Sequence, residues 1–360
     1  MKKRILTILG TRPELIKMFP LIKILDKIYD HKLIWSGQHY DYDLVKQNFI
    51  DVKLRSPDVK IKINKRKNNF IQIQEKLIKI INNYRPTAII YHGDTFTTLA
   101  TSLITNFFYP NIVKIHIEGG YRSGDKSQIE ERARTTSDQL SDVIFVTRNQ
   151  EKKNLYKENI KKNVYIVGNS IHESVQQILK ISDKKKINKK FKNLINQKKF
   201  ILATIHRAEN VDNKIRLKKI VNIINKLAEN NLVFFPVHPR TKKKIKSLKL
   251  KLKSNIIIKN PISYSETIYL LSKSIFCFTD SGGLQEESAI LKKRCIIPSN
   301  KTPHFFYLHK FANHLVQIDK GNYMSDVEKF KRSILTNKIK SFSHKKNTSY
   351  EVIRILKKLI

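Results

Sequence analysis

The sequence predicts an α/β fold of two Rossmann-like, doubly wound parallel-sheet domains facing a central cleft. Three observations predict it. Short apolar runs alternate with amphipathic helix-length stretches, the pattern of strands buried on both faces by helices. The alternation breaks once, across a Lys/Asn-rich stretch at residues 182–199, and then restarts. Polar residues suited to chemistry fall just past the C-terminal ends of the predicted strands, where open parallel sheets bind ligands.

The first half opens with a strand at residues 5–9 and a helix at 14–25, which carries Leu15, Met18, Phe19, Ile22 and Leu25 on one face. Pro20 lies inside that pattern and predicts a kink. A short strand at 32–35 ends at Ser36-Gly37-Gln38-His39, and a helix at 70–84 is stopped before Pro86. A strand at 88–91 ends at His92-Gly93-Asp94-Thr95 and a helix covers 98–108. A strand at 113–117 ends at Glu118-Gly119-Gly120, a helix spans 130–140, and strands follow at 143–146 and 164–167. The stretch at 182–199 reads as a linker. Beyond it, strands are predicted at 200–204, 232–236, 256–258, 274–278 and 295–298, and helices at 214–228, 242–248, 264–271 and 283–291. A terminal helix closes the chain. The expected division is residues 1–169, joined by the terminal helix at 346–360, against residues 170–345.

Composition narrows the class. The 360 residues suit two cores, and 40% hydrophobic content is that of a globular chain. No apolar run approaches the roughly 20 residues that span a bilayer, so no membrane insertion is expected. The N-terminus is basic and then apolar, but it flows into Thr11-Arg12-Pro13-Glu14 without a small-residue cleavage site, and reads as a buried strand. Cys277 and Cys295, the only cysteines, each fall inside a predicted strand and read as reduced core thiols of a cytoplasmic protein. Lysine and arginine number 71 against 30 acids, giving +41. The excess is dispersed rather than focused, which favours solvated lysine over a specific nucleic-acid surface. The same field would attract an anionic nucleotide.

The second half turns on the segment from Phe278 to Glu287. An apolar run enters Asp280-Ser281-Gly282-Gly283, and a helix follows at once. Unpaired N–H groups and the positive helix end then point at one spot, and glycines let an anion approach the backbone. Glu286 and Glu287 follow one turn on, where a carboxylate can accept two hydrogen bonds from a ribose diol. The competing reading is a plain N-cap at Asp280 or Ser281 with both glutamates solvated.

Taken in order, further words complete a resemblance. They are Gly10-Thr11-Arg12-Pro13-Glu14-Leu15-Ile16-Lys17, Gly37-Gln38-His39, His92-Gly93-Asp94-Thr95 and His116-Ile117-Glu118-Gly119-Gly120-Tyr121-Arg122-Ser123. Glu130-Glu131 with Arg134, Gly168-Asn169-Ser170, His206-Arg207-Ala208-Glu209-Asn210 and the Asp280–Glu287 word follow. This ordered set resembles the non-hydrolysing UDP-N-acetylglucosamine 2-epimerase family over most of the chain. The resemblance implies the GT-B arrangement, a terminal helix returning to the first domain, a cytoplasmic homodimer, and no metal or redox cofactor. His206–Asn210, His238-Pro239-Arg240-Thr241 and Asp138-Gln139 also resemble relatives that invert C2 of UDP-2,3-diacetamido-2,3-dideoxyglucuronic acid.

The reaction so implied is anti elimination of UDP to a 2-acetamidoglucal and re-addition, serving cell-surface polysaccharide precursors. It needs proton-transfer groups near C2 and preorganised donors for the departing diphosphate. By match to the motifs, Glu118 and Glu130 transfer protons with Asp94 close by, and His206 and Arg207 contact phosphates or sugar. Arg12 and Lys17 face the diphosphate, Ser281, Gly282 and Gly283 bind phosphate, Glu287 takes the ribose, and Arg134 positions the Glu130 region or the sugar. The competing reading of Glu118, Glu130 and Arg134 is a buried ion-pair network that only holds a loop. The regulatory site of some bacterial members corresponds to Gln38 and His39, with His238 as a further candidate.

Several positions depart from the family pattern. Ile129 stands for Pro, Arg132 and Ala133 for a small residue and Asn, and Gly119 for Ala. Residues 298–304 do not match the usual Thr-Glu-Arg-Pro-Glu segment, and Thr267 stands where a large apolar residue often covers the base. A GT-B glycosyltransferase using UDP-GlcNAc would share the nucleotide site but require an acceptor. The hydrolysing siblings release free N-acetylmannosamine and open on a different word. A nucleic-acid-binding protein would need a recognition module, and the sequence contains none.

Overall fold

The computed structural model describes residues 2–38, 42–64, 68–196, 199–300, 313–336 and 347–360. His39 and residues 301–304, singled out above, lie outside the described residues. Two compact units divide the chain: Met1–Gln177 with His344–Ile360, and Ile178–Ser343.

The first unit begins β1 (Arg4–Leu9), α1 (Arg12–Ile28), β2 (Asp30–Trp35), α2 (Tyr42–Asp51), β3 (Val59–Lys60) and α3 (Asn69–Tyr84). It continues β4 (Ala88–His92), α4 (Phe96–Phe108), β5 (Val113–Ile117), α5 (Ile129–Gln139), β6 (Val143–Val146), α6 (Asn149–Lys157) and β7 (Val164–Ile166). The helix α7 (Ser170–Ile181) contains the division between units. The seven strands form one parallel sheet in the order β3-β2-β1-β4-β5-β6-β7. Ile5, Leu6, Ile8, Ile89, Ile90 and Ile115 are fully buried in it, because helices cover both faces.

The second unit runs α8 (Lys184–Lys190), α9 (Lys192–Asn196), β8 (Phe200–Thr204), α10 (Ala208–Val211), α11 (Lys214–Leu227), β9 (Leu232–Pro236) and α12 (Pro239–Ser247). Then come β10 (Ile256–Lys259), α13 (Tyr264–Lys273), β11 (Phe276–Thr279), α14 (Gly282–Ile290), β12 (Arg294–Pro298), β13 (Asn313–Val316) and α15 (Tyr323–Thr336). Its six strands are parallel, ordered β10-β9-β8-β11-β12-β13. The last helix, α16 (Thr348–Leu359), returns to the first unit, packs on α1, and donates Ser349 N–H to Glu173 Oε2 at 2.9 Å.

One expectation needs correction. Residues 182–199 are not a linker: α8 and α9 occupy 184–190 and 192–196. Ile187, Phe191 and Leu194 enter the core beside Phe234, Tyr269 and Leu270, while the lysines stay outside. Tyr269 also donates its hydroxyl to Asn188 Oδ1 at 2.8 Å. Pro20 lies within α1, which runs from Arg12 to Ile28. The proline removes one backbone bond, to the carbonyl four residues back. Burial of Leu15, Met18, Phe19, Leu21, Ile22 and Leu25 outweighs that loss.

Sheet order places the ligand-binding edges. In each sheet the order reverses once, between β1 and β4 in the first and between β8 and β11 in the second. Chain leaving those strands diverges to opposite faces and opens a crevice at their C-terminal ends.

Candidate active site

At the first reversal, three strand exits meet. Glu14, in the first turn of α1, accepts the N–H of Gly10 at 2.8 Å and of Thr11 at 2.7 Å on Oε2. Its Oε1 accepts the Thr95 hydroxyl at 2.8 Å, so one carboxylate joins the β1 and β4 turns. Burial pushes the Glu14 carboxyl up, against the lowering influence of His92 and these donors. Gly10 leaves no room for a side chain, since a Cβ would collide with Thr97 Oγ1 and Ser36 Oγ. Thr97 in turn gives its N–H and hydroxyl to Gln38 Oε1 at 3.0 and 2.8 Å.

Glu118, the first residue past β5, is the centre of this end. Its φ is +66°, a left-handed conformation that costs a non-glycine residue about 1–2 kcal/mol. The conformation is held from several sides. Its N–H donates to Phe145 O at 3.0 Å, and its carbonyl accepts Arg134 Nη1 at 2.6 Å. Lys17 Nζ meets its carboxylate at 2.7 and 2.8 Å, one oxygen each, and His92 Nε2 lies 3.3 Å from Oε2. Burial alone would raise the Glu118 carboxyl, but Lys17, then His92 and Arg134, hold it well below the usual carboxylate range. Arg134 also binds Asp94 through Nη2 and stacks on Tyr121, its guanidinium 5.2 Å from the ring centre. Desolvation opposes the Arg134 charge, yet Asp94 and Glu118 raise it overall.

A fully buried pair lies behind this cluster. His116 Nδ1 is 2.8 Å from Asp138 Oδ1, and His116 Nε2 is 2.8 Å from Gly93 O. Asp138 also meets Arg122 Nη1 at 2.8 Å and accepts the Gly120 N–H at 3.0 Å. His116 and its two neighbouring cation and N–H partners lower the Asp138 carboxyl against a burial that would raise it. The pair thus fastens the Gly93–Asp94 turn to the Glu118–Gly120 turn. It also explains Gly119: a Cβ there would collide with Asp138 Oδ1.

The structure brings together Lys17, Asp94, Glu118 and Arg134. Glu130 is exposed on the first turn of α5. Its neighbour Glu131 is buried instead, accepting Ser123 N–H at 2.7 Å, the Ser123 hydroxyl at 3.0 Å and Gly124 N–H at 3.2 Å. Arg12 is exposed at the first position of α1. Sequence reasoning missed His92, His116 and Glu131 as parts of this network. Their position inside the quoted words was the available signal.

At the second reversal, Asp280 is the organising group. It is 1% exposed and accepts the N–H groups of His206 at 3.1 Å and Arg207 at 3.0 Å, with Asn210 Nδ2 at 3.0 Å. His206 Nδ1 lies 3.3 Å from it, and the His206 ring is half exposed. Ser281 caps α14 by accepting the Leu284 N–H at 3.4 Å. Gly282 and Gly283 then start a helix whose first N–H groups have no intrahelical acceptor. Glu286 and Glu287 are not solvated: they are 7% and 4% exposed, and Tyr264 donates its hydroxyl to Glu287 Oε1 at 2.7 Å. His238 stands apart as the exposed N-cap of α12, its Nδ1 3.3 Å from the Arg240 N. Arg240 is paired with Asp212. Cys277 and Cys295 are free, buried and opposite one another on β11 and β12. Among the described residues no group of three His, Cys, Asp or Glu could hold a metal ion, and no helix is long and apolar enough to cross a membrane.

Comparison with known proteins agrees with this architecture. The family described as UDP-N-acetylglucosamine 2-epimerase matches residues 24–357. The chain is 36% identical over 336 residues to the UDP-N-acetylglucosamine 2-epimerase of Methanocaldococcus jannaschii, covering 89% of this chain and 90% of that protein. It is 32% identical over 325 residues to the UDP-2,3-diacetamido-2,3-dideoxy-D-glucuronate 2-epimerase of Pseudomonas aeruginosa, covering 87% and 88%. The crystal structure of UDP-GlcNAc 2-epimerase from Neisseria meningitidis bound to UDP-GlcNAc superposes with a TM-score of 0.85 at 29% identity, covering 99% of this chain and 100% of that one. Two doubly wound sheets, a carboxylate cluster at one reversal, an anion-ready helix start at the other, and a match along most of the length have one common explanation: the chain belongs to the UDP-N-acetylglucosamine 2-epimerase family.

Proposed function

We propose that this chain interconverts UDP-GlcNAc and UDP-ManNAc by inverting C2 of the sugar, within a cytoplasmic homodimer that feeds polysaccharide precursor synthesis. The observation that carries the reading is Glu118, an ionised carboxylate fixed in a left-handed conformation at the end of β5 and joined through Arg134 to Asp94. The C2 hydrogen is too weakly acidic for direct exchange. Elimination solves this. A base takes the C2 proton, the C1–O bond to UDP breaks, and a C1=C2 double bond forms. UDP then re-adds through the same oxygen while a proton reaches C2 from the opposite face.

Glu118 is the first candidate for the base, and Asp94 for the opposing proton carrier, each within the span of one Arg134 side chain. Glu130, exposed on the first turn of α5, is the third candidate, on the family resemblance. In the second unit the N-terminus of α14, at Ser281–Gly283, suits the diphosphate, with His206 and Arg207 beside that turn, and a diphosphate role for Arg12 rests on the family resemblance. Glu287, held by Tyr264, suits the ribose hydroxyls. Gln38 is engaged with Thr97, and a regulatory role for it rests on the family resemblance.

The Pseudomonas aeruginosa relative favours a second reading, inversion at C2 of a 2,3-diacetamido uronic acid nucleotide. Turnover assays with both nucleotides decide between them. Faster conversion of the diacetamido compound would displace UDP-GlcNAc as substrate. Conversion of neither would defeat the proposal.

A further inference from the structure

The inference deepens the reading above and rests on it: the second unit binds the uridine nucleotide, with Glu287 at its ribose. Glu287 lies one turn past Gly283 on α14. A Cβ added to Gly283 would stand 3.9 Å from Glu287 Oε1, and Gly283 itself is exposed. The missing side chain therefore leaves a way from solvent to that carboxylate, beside the helix start that suits the diphosphate. The carboxylate is otherwise buried and accepts the Tyr264 hydroxyl on Oε1 at 2.7 Å. Tyr264 is the first residue of α13, and that helix start is fixed from several sides. Ser263 caps it by accepting the Glu266 N–H at 3.2 Å, while Glu266 Oε2 accepts the Ser263 N–H at 2.9 Å. The Thr267 hydroxyl donates to Ser263 O at 2.8 Å, and Lys190 of α8 donates to Glu266 Oε1 at 2.6 Å. The Tyr264 ring is buried, so its phenol oxygen holds one position against Glu287.

The +41 charge attracts ribonucleotides and deoxyribonucleotides alike, so selection between them has to be made by contact. A ribose offers its 2′ and 3′ hydroxyls as neighbouring donors, and a carboxylate reads both when it is held in one orientation. A 2′-deoxyribose lacks one donor and leaves a desolvated carboxylate partly unpaired. That penalty vanishes if the carboxylate swings to another rotamer and finds water. The Tyr264 hydroxyl opposes the swing. We propose that Tyr264 sets the sugar specificity of the nucleotide site, pinning Glu287 so that the second unit selects ribonucleotides over 2′-deoxyribonucleotides. Tyr264 acts through Glu287 and is a positioning residue.

Calorimetry of the full chain with UDP and with 2′-deoxyuridine diphosphate tests this. The two ligands share base and charge, so contacts other than that of the 2′ hydroxyl cancel in the ratio of their affinities. The unaltered protein is expected to prefer UDP by about tenfold or more. In Tyr264→Phe, which keeps the ring, that preference is expected to fall about fivefold or more, chiefly through weaker UDP binding. A purely structural tyrosine would weaken both ligands equally, and a preference unchanged in Tyr264→Phe would overturn the inference. If Tyr264→Phe does not fold, Glu266→Ala decides, because it removes the box that fixes the start of α13. A preference lowered about threefold or more supports the inference, and an unchanged one overturns it. Equal binding of both ligands by the unaltered protein would overturn the inference together with the ribose role of Glu287, leaving the nucleotide site itself standing. Binding of neither ligand would instead defeat the proposed function, and this inference with it.

Discussion

The exits of β5 and β11 share a design and differ in content. Each is a buried parallel strand that runs into glycines, but α14 starts at Gly282 directly after β11, whereas α5 starts only at Ile129, past a loop that follows β5. The β5 exit is crowded with paired charges: Lys17 on Glu118, Arg134 on Asp94, and His116 on Asp138. The β11 exit is organised by the buried carboxylate of Asp280, which binds backbone N–H groups and leaves the start of α14 open. Crowded opposite charges set the protonation of specific carboxylates. An open helix start binds any suitable anion. The proposed function accordingly assigns proton transfer to the first exit and nucleotide binding to the second.

Separating the two roles gives the largest expected effect. Glu118→Gln should lower turnover by about a thousandfold or more, while UDP affinity measured by calorimetry is retained. Affinity collapsing along with activity would show that the β5 exit is itself the nucleotide grip. Asp138→Asn should cost about 3–5 kcal/mol in urea unfolding, since it leaves the buried His116 without its carboxylate. A cost under about 1 kcal/mol would mean the pair does not fasten the two turns.

Acid should also separate the two exits. Glu118 and Asp138 have folded values below their ordinary 4.5 and 3.8. Their stabilisation is complete above those ordinary values and is lost as pH falls below them toward the folded values. Glu14, raised by burial, works in the opposite direction and regains stability on protonation. Denaturant midpoints from pH 6 downward should therefore fall more slowly in Asp138→Asn than in the unaltered protein. Parallel curves would remove Asp138 from the account. The smallest effect belongs to Gly283→Ala. A Cβ there meets only Glu287 Oε1 at 3.9 Å and Ser281 Oγ at 4.0 Å, so the fold should be unaffected within about 0.5 kcal/mol. UDP binding should weaken about tenfold, through the methyl placed where the anion approaches. Unchanged affinity would move the phosphate away from α14.

The central strands were legible because burial on both faces makes them continuous apolar runs. The bounds at 113–117, 143–146, 200–204 and 232–236 coincide with β5, β6, β8 and β9. Edge elements were not. β3 has two residues, and β13 reads Asn-His-Leu-Val, too short and polar for a strand signal. The α8–α9 segment was hidden by its lysines, although Ile187, Phe191 and Leu194 recur at helical spacing. The strand expected from Ser274 starts at Phe276, because Ser274 ends α13. The site was legible as a set of words, but its pairing was not. Lys17 and Glu118 are 101 residues apart, and only the folded sheet brings them together. Likewise nothing linear separates exposed Glu130 from buried Glu131.

The most direct test is proton NMR of the purified protein with UDP-GlcNAc in D2O. Base removal of the C2 proton predicts UDP-ManNAc, with deuterium entering C2 of both sugars as equilibrium is reached. Free N-acetylmannosamine with UDP, or a product that retains its C2 proton, would contradict it.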